Sequence, residues 1–268
     1  EAVHFAIALY YYRQLKISQN PSAPLLSSTA ETNNQSVQLN FYFLLYDYVK
    51  LFAHTDPRDA VSYYSILAIP HLKNEHTQQA LKDKQMSLQY LIEFVVDSKD
   101  VSTLLGTINS DGMRKKGCIE DFLPSEDLLF ILERSAVEYQ RIGRNNVAVE
   151  LYFMAEEHIG LSSTTLHPKS SQYLTNILLI VNDELSQVLT SGDNRAMVIQ
   201  LASKVNMKFV RGHLRGRMRE ADKQHFDTFS LLLRLISFFN LYDAKKYYEA
   251  YDLIAKAGII PFQRERID

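Results

Sequence analysis

The chain of 268 residues has one cysteine, Cys118, and no tryptophan. A single thiol excludes an internal disulfide and any zinc cluster built from several cysteines. Positive and negative charges nearly cancel, at 29 Lys and Arg against 31 Asp and Glu, so bulk attraction to nucleic acid or anionic lipid is not expected. No apolar run reaches the roughly 18–20 residues needed to cross a bilayer.

Sequence motifs for catalysis are also missing. The chain has no P-loop, no GxGxxG, no HExxH and no GxSxG. We therefore expect no enzyme activity, no catalytic residue, no cofactor and no metal site. The first residue, Glu1, lies inside a helical pattern without an initiator methionine, which predicts a fragment of a longer chain.

The apolar pattern that is present has the period of α-helices throughout, and no segment shows a convincing strand period. Proline falls outside these periodic stretches or at their first turn, and glycine follows several of them, Gly143, Gly160, Gly192 and Gly258 included. About eleven helices are predicted: Ala2–Ile17, Gln38–His54, Pro57–Ile69, Glu75–Val96, Ser98–Leu105, Ser125–Ile142, Asn145–Ile159, Lys169–Thr190, Asn194–Arg211, Glu220–Leu241 and Asp243–Ala257.

This organisation predicts an all-α fold without a sheet, an irregular α-solenoid of stacked antiparallel helices. Residues 1–268 are predicted to form a single solenoid fragment. Three segments rich in small or polar residues, at about 18–37, 106–117 and 161–171, are predicted to be mobile surface loops.

The predicted helix Gln38–His54 carries apolar side chains on two faces. Phe41, Leu44, Leu45, Tyr48 and Phe52 form one stripe, and Tyr42, Tyr46 and Val49 form a second. A helix that is apolar on two faces must be covered on both, which favours an interior helix of a stacked array. The first stripe therefore predicts that Tyr48 and Phe52 are buried.

A tight hinge separates this helix from the next. Asp56 is a good N-cap, Pro57 suits the first helical position, and Arg58 completes the connection. Short hinges of this kind are how a chain stacks helix pairs, so Asp56, Pro57 and Arg58 are predicted to be structural hinge residues.

One charged cluster could contact a partner. Lys204, Lys208, Arg211 and Arg215 recur at i, i+4, i+7 and i+11, which places them on one helical face. Met207, Val210, Leu214 and Met218 are predicted to line another face. The cluster is a candidate site for a partner protein, RNA or an anionic membrane, although a solvated face of an ordinary scaffold helix is the simpler interpretation. Gly212 and Gly216 weaken the helix at this point.

The hinge and its surroundings carry a family resemblance. Leu39–Tyr46 (LNFYFLLY), Phe52–Ala60 (FAHTDPRDA) and the pair Tyr63–Tyr64 resemble the nucleoporin interacting component family, the linker nucleoporins of the inner ring of the nuclear pore complex. The opening segment, Glu1–Tyr11 (EAVHFAIALYY), is similar to the family's segment just upstream. The similarity runs through most of the chain and is sharpest over residues 1–70.

The resemblance implies an all-α solenoid that acts as a structural scaffold at the nuclear envelope and not as an enzyme. It implies that other inner-ring nucleoporins are the partners, including a peptide segment of a membrane-associated one. It implies no small-molecule substrate, no direct nucleic-acid contact, and at most a peripheral position at the membrane. No motif marks the family's peptide-binding residues in this sequence.

Two alternatives remain from the residues themselves. The chain could be a helical-repeat scaffold subunit of another cytosolic assembly, because the solenoid pattern is shared with such proteins. It could also be a helical protein that binds nucleic acid through the basic cluster. Against that, Phe209 is the only aromatic residue there, and single-strand binders need aromatic stacking platforms.

Overall fold

The computed structural model describes residues 1–18, 20–31, 34–69, 77–98, 100–108, 114–162 and 168–258. Within these ranges the chain forms eleven α-helices, which confirms the all-α prediction. Two compact units are present, Glu1–Glu138 and Tyr139–Asp268. Side chains are not described at 29–36 and 161–168.

Most helices begin and end within four residues of the predicted positions, but the first ends at Tyr11, six residues before the predicted Ile17. In chain order they are α1 Ala2–Tyr11, α2 Phe41–Lys50, α3 Pro57–Ser65, α4 Gln78–Asp97, α5 Val101–Leu105, α6 Ser125–Arg141, α7 Asn145–Ser162, α8 Pro168–Gln187, α9 Arg195–Arg211, α10 Lys223–Asp243 and α11 Tyr247–Ala257. Short 3-10 turns lie at Ile66–Ala68, Cys118–Asp121, Leu214–Arg217 and Glu220–Asp222. The predicted start of the fourth helix, Glu75 and His76, lies outside the described residues.

Side-chain caps explain several of the helix starts in the first unit. Asn40, Asp56, Thr77 and Asp100 each accept a hydrogen bond from the backbone N–H three residues further on, at 3.0–3.1 Å. These bonds satisfy N–H groups that have no partner inside the helix.

The C-terminal ends of the helices match the glycine positions predicted from the sequence less consistently. Gly258 has a φ of +66° and ends α11 as predicted, because glycine adopts the left-handed conformation without steric cost. Gly160 was predicted to end a helix, but α7 continues through it to Ser162.

The core of the first unit is centred on α2, which contacts α1 and α3. Phe41, Tyr42, Leu45 and Val49 are fully buried. This buried face takes members from both predicted stripes, because the neighbouring helices cover the arc between them. Tyr48 and Phe52, which the first stripe predicted to be buried, are only half-buried.

Tyr48 and Phe52 instead form an aromatic group at the rim of the first unit. Each ring packs edge-on against the Tyr63 ring of α3 with centroids 5.5 Å apart. His4 of α1 joins them through a 2.7 Å hydrogen bond between its Nε2 and the Tyr63 hydroxyl. The rings thus connect three helices while one edge stays in contact with water.

The second unit is organised around α8, which packs against α7, α9 and α10. Its Leu174, Ile177, Leu178, Val181 and Leu185 are fully buried. A helix covered by three neighbours must be apolar over most of its circumference, and this arrangement places α8 at the centre of the unit.

The prediction of no sheet needs correction, because two short strand pairs lie in the predicted loops. Strand β1, Leu26–Glu31, pairs antiparallel with β2, Asn34–Leu39, and β3, Gly106–Ile108, pairs antiparallel with β4, Arg114–Lys116. Their ladders are held by backbone hydrogen bonds, which polar sequences form as readily as apolar ones, so the period-2 signal is weak. The mobility of the three segments stays a prediction, and residues 109–113 and 163–167 lie outside the described ranges.

The β3–β4 pair is closed by an unusually tight backbone contact. A Cβ added to Gly106 would lie 2.0 Å from the carbonyl oxygen of Lys115, and one added to Gly117 would lie 2.2 Å from that of Leu104. Beside this contact, the Arg114 guanidinium forms a well-buried 2.8 Å ion pair with Glu120. No other residue type fits at Gly106 without moving the backbone.

Candidate partner-binding surface

The predicted basic stripe does not lie on one continuous helix. Lys204, Lys208 and Arg211 are on α9, but the helix ends at Arg211. His213 then takes a left-handed backbone conformation with φ +49°, and Arg215 lies in the 3-10 turn that follows. The break at Gly212 therefore removes Arg215 from the face that the spacing predicted.

Lys208 is turned toward the body of the second unit. Its Nζ lies 4.4 Å from the centroid of the Phe153 ring of α7, in a cation–π contact. Burial lowers the pKa of Lys208, although the nearby carboxylates of Glu150 and Glu157 favour the charged form. The side chain thus serves packing between α7 and α9.

Arg215 is also engaged within the second unit. Its guanidinium forms a 2.9 Å ion pair with Asp227 and lies 5.6 Å from the centroid of the Phe226 ring. Both contacts tie the 3-10 turn to α10. The ion pair is exposed on both sides, so it contributes at most about 1 kcal/mol.

Arg217, two residues further on, reaches a buried carboxylate. It donates a 2.8 Å hydrogen bond to Oε1 of Glu156, which also accepts a 3.0 Å bond from the Ser170 hydroxyl. Glu156 is buried in α7, and a buried carboxylate needs such donors. Arg217 therefore holds the turn after α9 against α7 and α8.

Three cations of the predicted site are exposed, but Arg215 is already paired with Asp227. Lys204 and Arg211 are exposed, and neither forms an ion pair with any residue that the structure describes. The predicted apolar face divides in the same way: Leu214 and Met218 are buried, whereas Met207 and Val210 are exposed. The exposed side of α9 consequently mixes cations with apolar side chains.

The hinge residues are placed where the sequence predicts them. Asp56 accepts a 3.1 Å hydrogen bond from the Asp59 N–H, and Pro57 occupies the first position of α3. Arg58 forms a 2.9 Å ion pair with Asp121 in the 3-10 turn Cys118–Asp121. The pair is exposed, so its energetic contribution is small.

The sequence did not reveal the buried polar centre of the first unit. Asp83 of α4 is fully buried and accepts hydrogen bonds from the hydroxyls of Tyr10 and Tyr42, at 2.7 and 2.6 Å. Gln79 donates a third, at 2.6 Å. Three helices thus meet at one carboxylate, and burial raises the pKa of both phenols above the usual range. The only signal in the sequence is an acidic residue on an otherwise buried helix position.

Among the described residues, no group of three or more His, Cys, Asp or Glu side chains could hold a metal ion. None of the helices described is both long and apolar enough to span a membrane.

Helices that pack on one another within each unit, with only two short strand pairs among the described residues, define an all-α protein of the α-solenoid class. The chain belongs to the Nup93/Nic96 family, whose sequence model matches residues 1–268.

Relatives and a solved structure agree with this assignment. Nuclear pore complex protein Nup93 of Danio rerio is 29% identical over 267 residues, which cover 100% of this chain and 29% of the relative. Nucleoporin NIC96 of Saccharomyces cerevisiae is 26% identical over 99% of this chain and 30% of its own length. The chain therefore spans under a third of the length of these relatives. The crystal structure of Chaetomium thermophilum Nic96 SOL superposes with a TM-score of 0.70 at 23% identity, over 97% of this chain and 39% of that one, and shows the same fold.

Proposed function

We propose that this chain is part of a structural scaffold in the inner ring of the nuclear pore complex, at the nuclear envelope. In this role it positions other nucleoporins and so supports pore assembly and nucleocytoplasmic transport. The observation that carries the proposal is the match to the Nup93/Nic96 family over the whole chain. The Danio rerio relative, which aligns with the full chain, is named a nuclear pore complex protein.

The proposed role is non-enzymatic and needs no cofactor and no small-molecule substrate. Its partners are other inner-ring nucleoporins, including a peptide segment of a membrane-associated one, and the chain is at most peripheral to the nuclear membrane. The exposed residues Lys204 and Arg211 are the members of the predicted site that we assign to partner binding. Lys208 and Arg215 are held on the Phe153 and Phe226 rings, and Arg215 also pairs with Asp227, so we assign these two residues to packing within the second unit.

The internal contacts of the basic cluster count against the nucleic-acid alternative. Lys208, Arg215 and Arg217 are held on aromatic rings or carboxylates of the same unit. Phosphate binding needs several free cations on one surface. Two exposed cations on α9 are too few for strong backbone binding.

The test is recovery of partners from nuclear-envelope extract with the chain as immobilised bait, at low and at moderate salt. Bound proteins are identified by mass spectrometry and bound RNA is quantified. We expect inner-ring nucleoporins at both salt concentrations, and loss of their recovery when excess free chain is added.

Two results would contradict the proposal. Recovery of RNA alone, lost at moderate salt, would indicate phosphate binding, which depends on counterion release. Salt-resistant recovery of a cytosolic assembly without nucleoporins would indicate the other scaffold alternative.

A further inference from the structure

The exposed side of α9 has a regular arrangement. Met197, Gln200, Lys204, Met207 and Arg211 follow at i, i+3, i+7, i+10 and i+14, and all five are exposed. This spacing places them in a single row along the helix, which at 1.5 Å per residue is about 21 Å long. Val210 lies beside the row, one residue before its end. We call these six residues the α9 row.

The apolar members of the α9 row are well exposed. Met197 is 65% exposed, Met207 46% and Val210 61%. Single apolar residues at a surface are ordinary, but Met207 and Val210 lie one turn apart and form an exposed apolar pair, and Met197 lies about 15 Å further along the same helix. Methionine is flexible and polarizable, and is over-used at surfaces that bind helices.

The charged members have no partner in the described part of the chain. Lys204 and Arg211 lie on the same row as the exposed methionines and form no ion pair there. The nearby cations Lys208, Arg215 and Arg217 are all satisfied internally. The row thus carries a local positive charge on a chain whose net charge is −2.

We propose that the α9 row is a docking site for an acidic amphipathic helix of a partner protein. A helix laid along the row would bury its apolar side chains against Met197, Met207 and Val210, in ridges-into-grooves packing. Its aspartates or glutamates would lie opposite Lys204 and Arg211, where complementary charge guides association and fixes register. The inference rests on the proposed scaffold function for the existence of a partner, and adds the surface and the partner's chemistry.

The composition of the row favours a protein segment over RNA. The one aromatic residue of α9, Phe209, is buried against Phe153 and Phe226, so it cannot stack on a base. The exposed methionines would gain nothing from a phosphate backbone. Exposed apolar side chains that alternate with cations along one row match an acidic amphipathic helix.

The first experiment is site-specific photo-crosslinking in nuclear-envelope extract. A photoreactive residue replaces Gln200, in the middle of the row, and in a matched control it replaces Gln172, an exposed position of α8. The crosslinked segments are sequenced by mass spectrometry. We expect Gln200, and not Gln172, to capture a nucleoporin segment with apolar residues at helical spacing and several aspartates or glutamates.

The second experiment measures binding of the captured segment, as a labelled synthetic peptide, by fluorescence anisotropy. Lys204→Glu with Arg211→Glu should weaken binding at least about tenfold, and Met207→Ala with Val210→Ala about tenfold. Lys116→Glu with Lys245→Glu changes the net charge equally at exposed positions outside the row and should leave Kd within about twofold. All substituted side chains are exposed, and unchanged melting temperatures verify the fold.

The outcomes separate the two proposals. Recovery of nucleoporins without crosslinks at Gln200, or with crosslinks to a basic segment or to RNA, overturns the docking site and leaves the scaffold proposal standing. Equal binding by the row variants and the control also overturns it. Absence of nucleoporins from every capture refutes the scaffold function, and the docking proposal falls with it.

Discussion

Replacement of Asp83 by alanine should strongly destabilise the first unit. The substitution removes the acceptor of the Tyr10 and Tyr42 hydroxyls and of the Gln79 amide, and all three donors lie within 2.7 Å of the carboxylate. A buried donor left without its partner costs about 1–3 kcal/mol. Tyr10 retains only a long, 3.5 Å contact with the Leu67 carbonyl, and Gln79 can still donate to the Tyr42 hydroxyl. We therefore expect a loss of about 3–4 kcal/mol in the free energy of unfolding.

Asp83→Asn is the matched control. An asparagine has the same shape and keeps one oxygen that accepts hydrogen bonds from Tyr42 and Gln79. Its N–H₂ group can donate a hydrogen bond to the Tyr10 hydroxyl oxygen. The loss should be about 1 kcal/mol. The difference in free energy of unfolding between the two variants measures the contribution of the hydrogen bonds separately from that of the negative charge.

The assay is urea denaturation followed by circular dichroism, combined with hydrogen exchange of peptides from α4. Exchange localises the effect, because a chain with two compact units need not unfold in one step. Faster exchange in α4 with unchanged exchange in α8 is the expected pattern. An Asp83→Ala variant within about 1 kcal/mol of the parent protein would refute the reasoning, since water would then be replacing the lost acceptor.

Three further predictions concern stability. Leu45→Ala should cost about 2–5 kcal/mol, whereas Leu51→Ala should cost almost nothing, because Leu45 is fully buried and Leu51 is 81% exposed; urea midpoints compare them. Gly106→Ala should lower the melting temperature more than Gly143→Ala does. Both glycines have a positive φ, but only at Gly106 would the added Cβ collide with backbone atoms. Equal losses in melting temperature would contradict the tight β3–β4 contact. The free energy of unfolding of the first unit should fall as pH rises above about 10. Burial raises the pKa of the Tyr90 hydroxyl to about 12, so the unfolded chain loses this proton at a lower pH than the folded chain does. Hydrogen exchange of α4, corrected for its intrinsic rate, measures the effect, and a flat profile between pH 9 and about 11 would contradict the prediction.

The helices were predictable because their signals are local. Apolar spacing, the Asp56 cap and Pro57 at the start of α3 each act over three or four residues, within reach of sequence reasoning. The family resemblance over Leu39–Ala60 rests on the same residues, and the match over the whole chain confirms it.

The side of a helix that becomes buried was decided by tertiary packing. Tyr48 and Tyr42 belong to equally apolar stripes of α2, yet only Tyr42 meets the buried carboxylate of Asp83. That carboxylate is supplied by α4, about forty residues away in sequence, and no local pattern encodes the meeting. The strand pairs were missed for a related reason, because β1 and β2 are held by backbone bonds that do not require apolar alternation.

The basic cluster separates most clearly what the sequence predicts from what tertiary packing decides. From the sequence, Lys204, Lys208, Arg211 and Arg215 are equivalent cations at helical spacing. Only the folded unit brings the Phe153 ring beneath Lys208 and Asp227 beside Arg215, and leaves Lys204 and Arg211 exposed without an ion pair to any described residue. Local periodicity therefore determined the helices and their order, whereas long-range contacts determined which side chains remain available to a partner, because burial depends on what the rest of the chain places opposite each face.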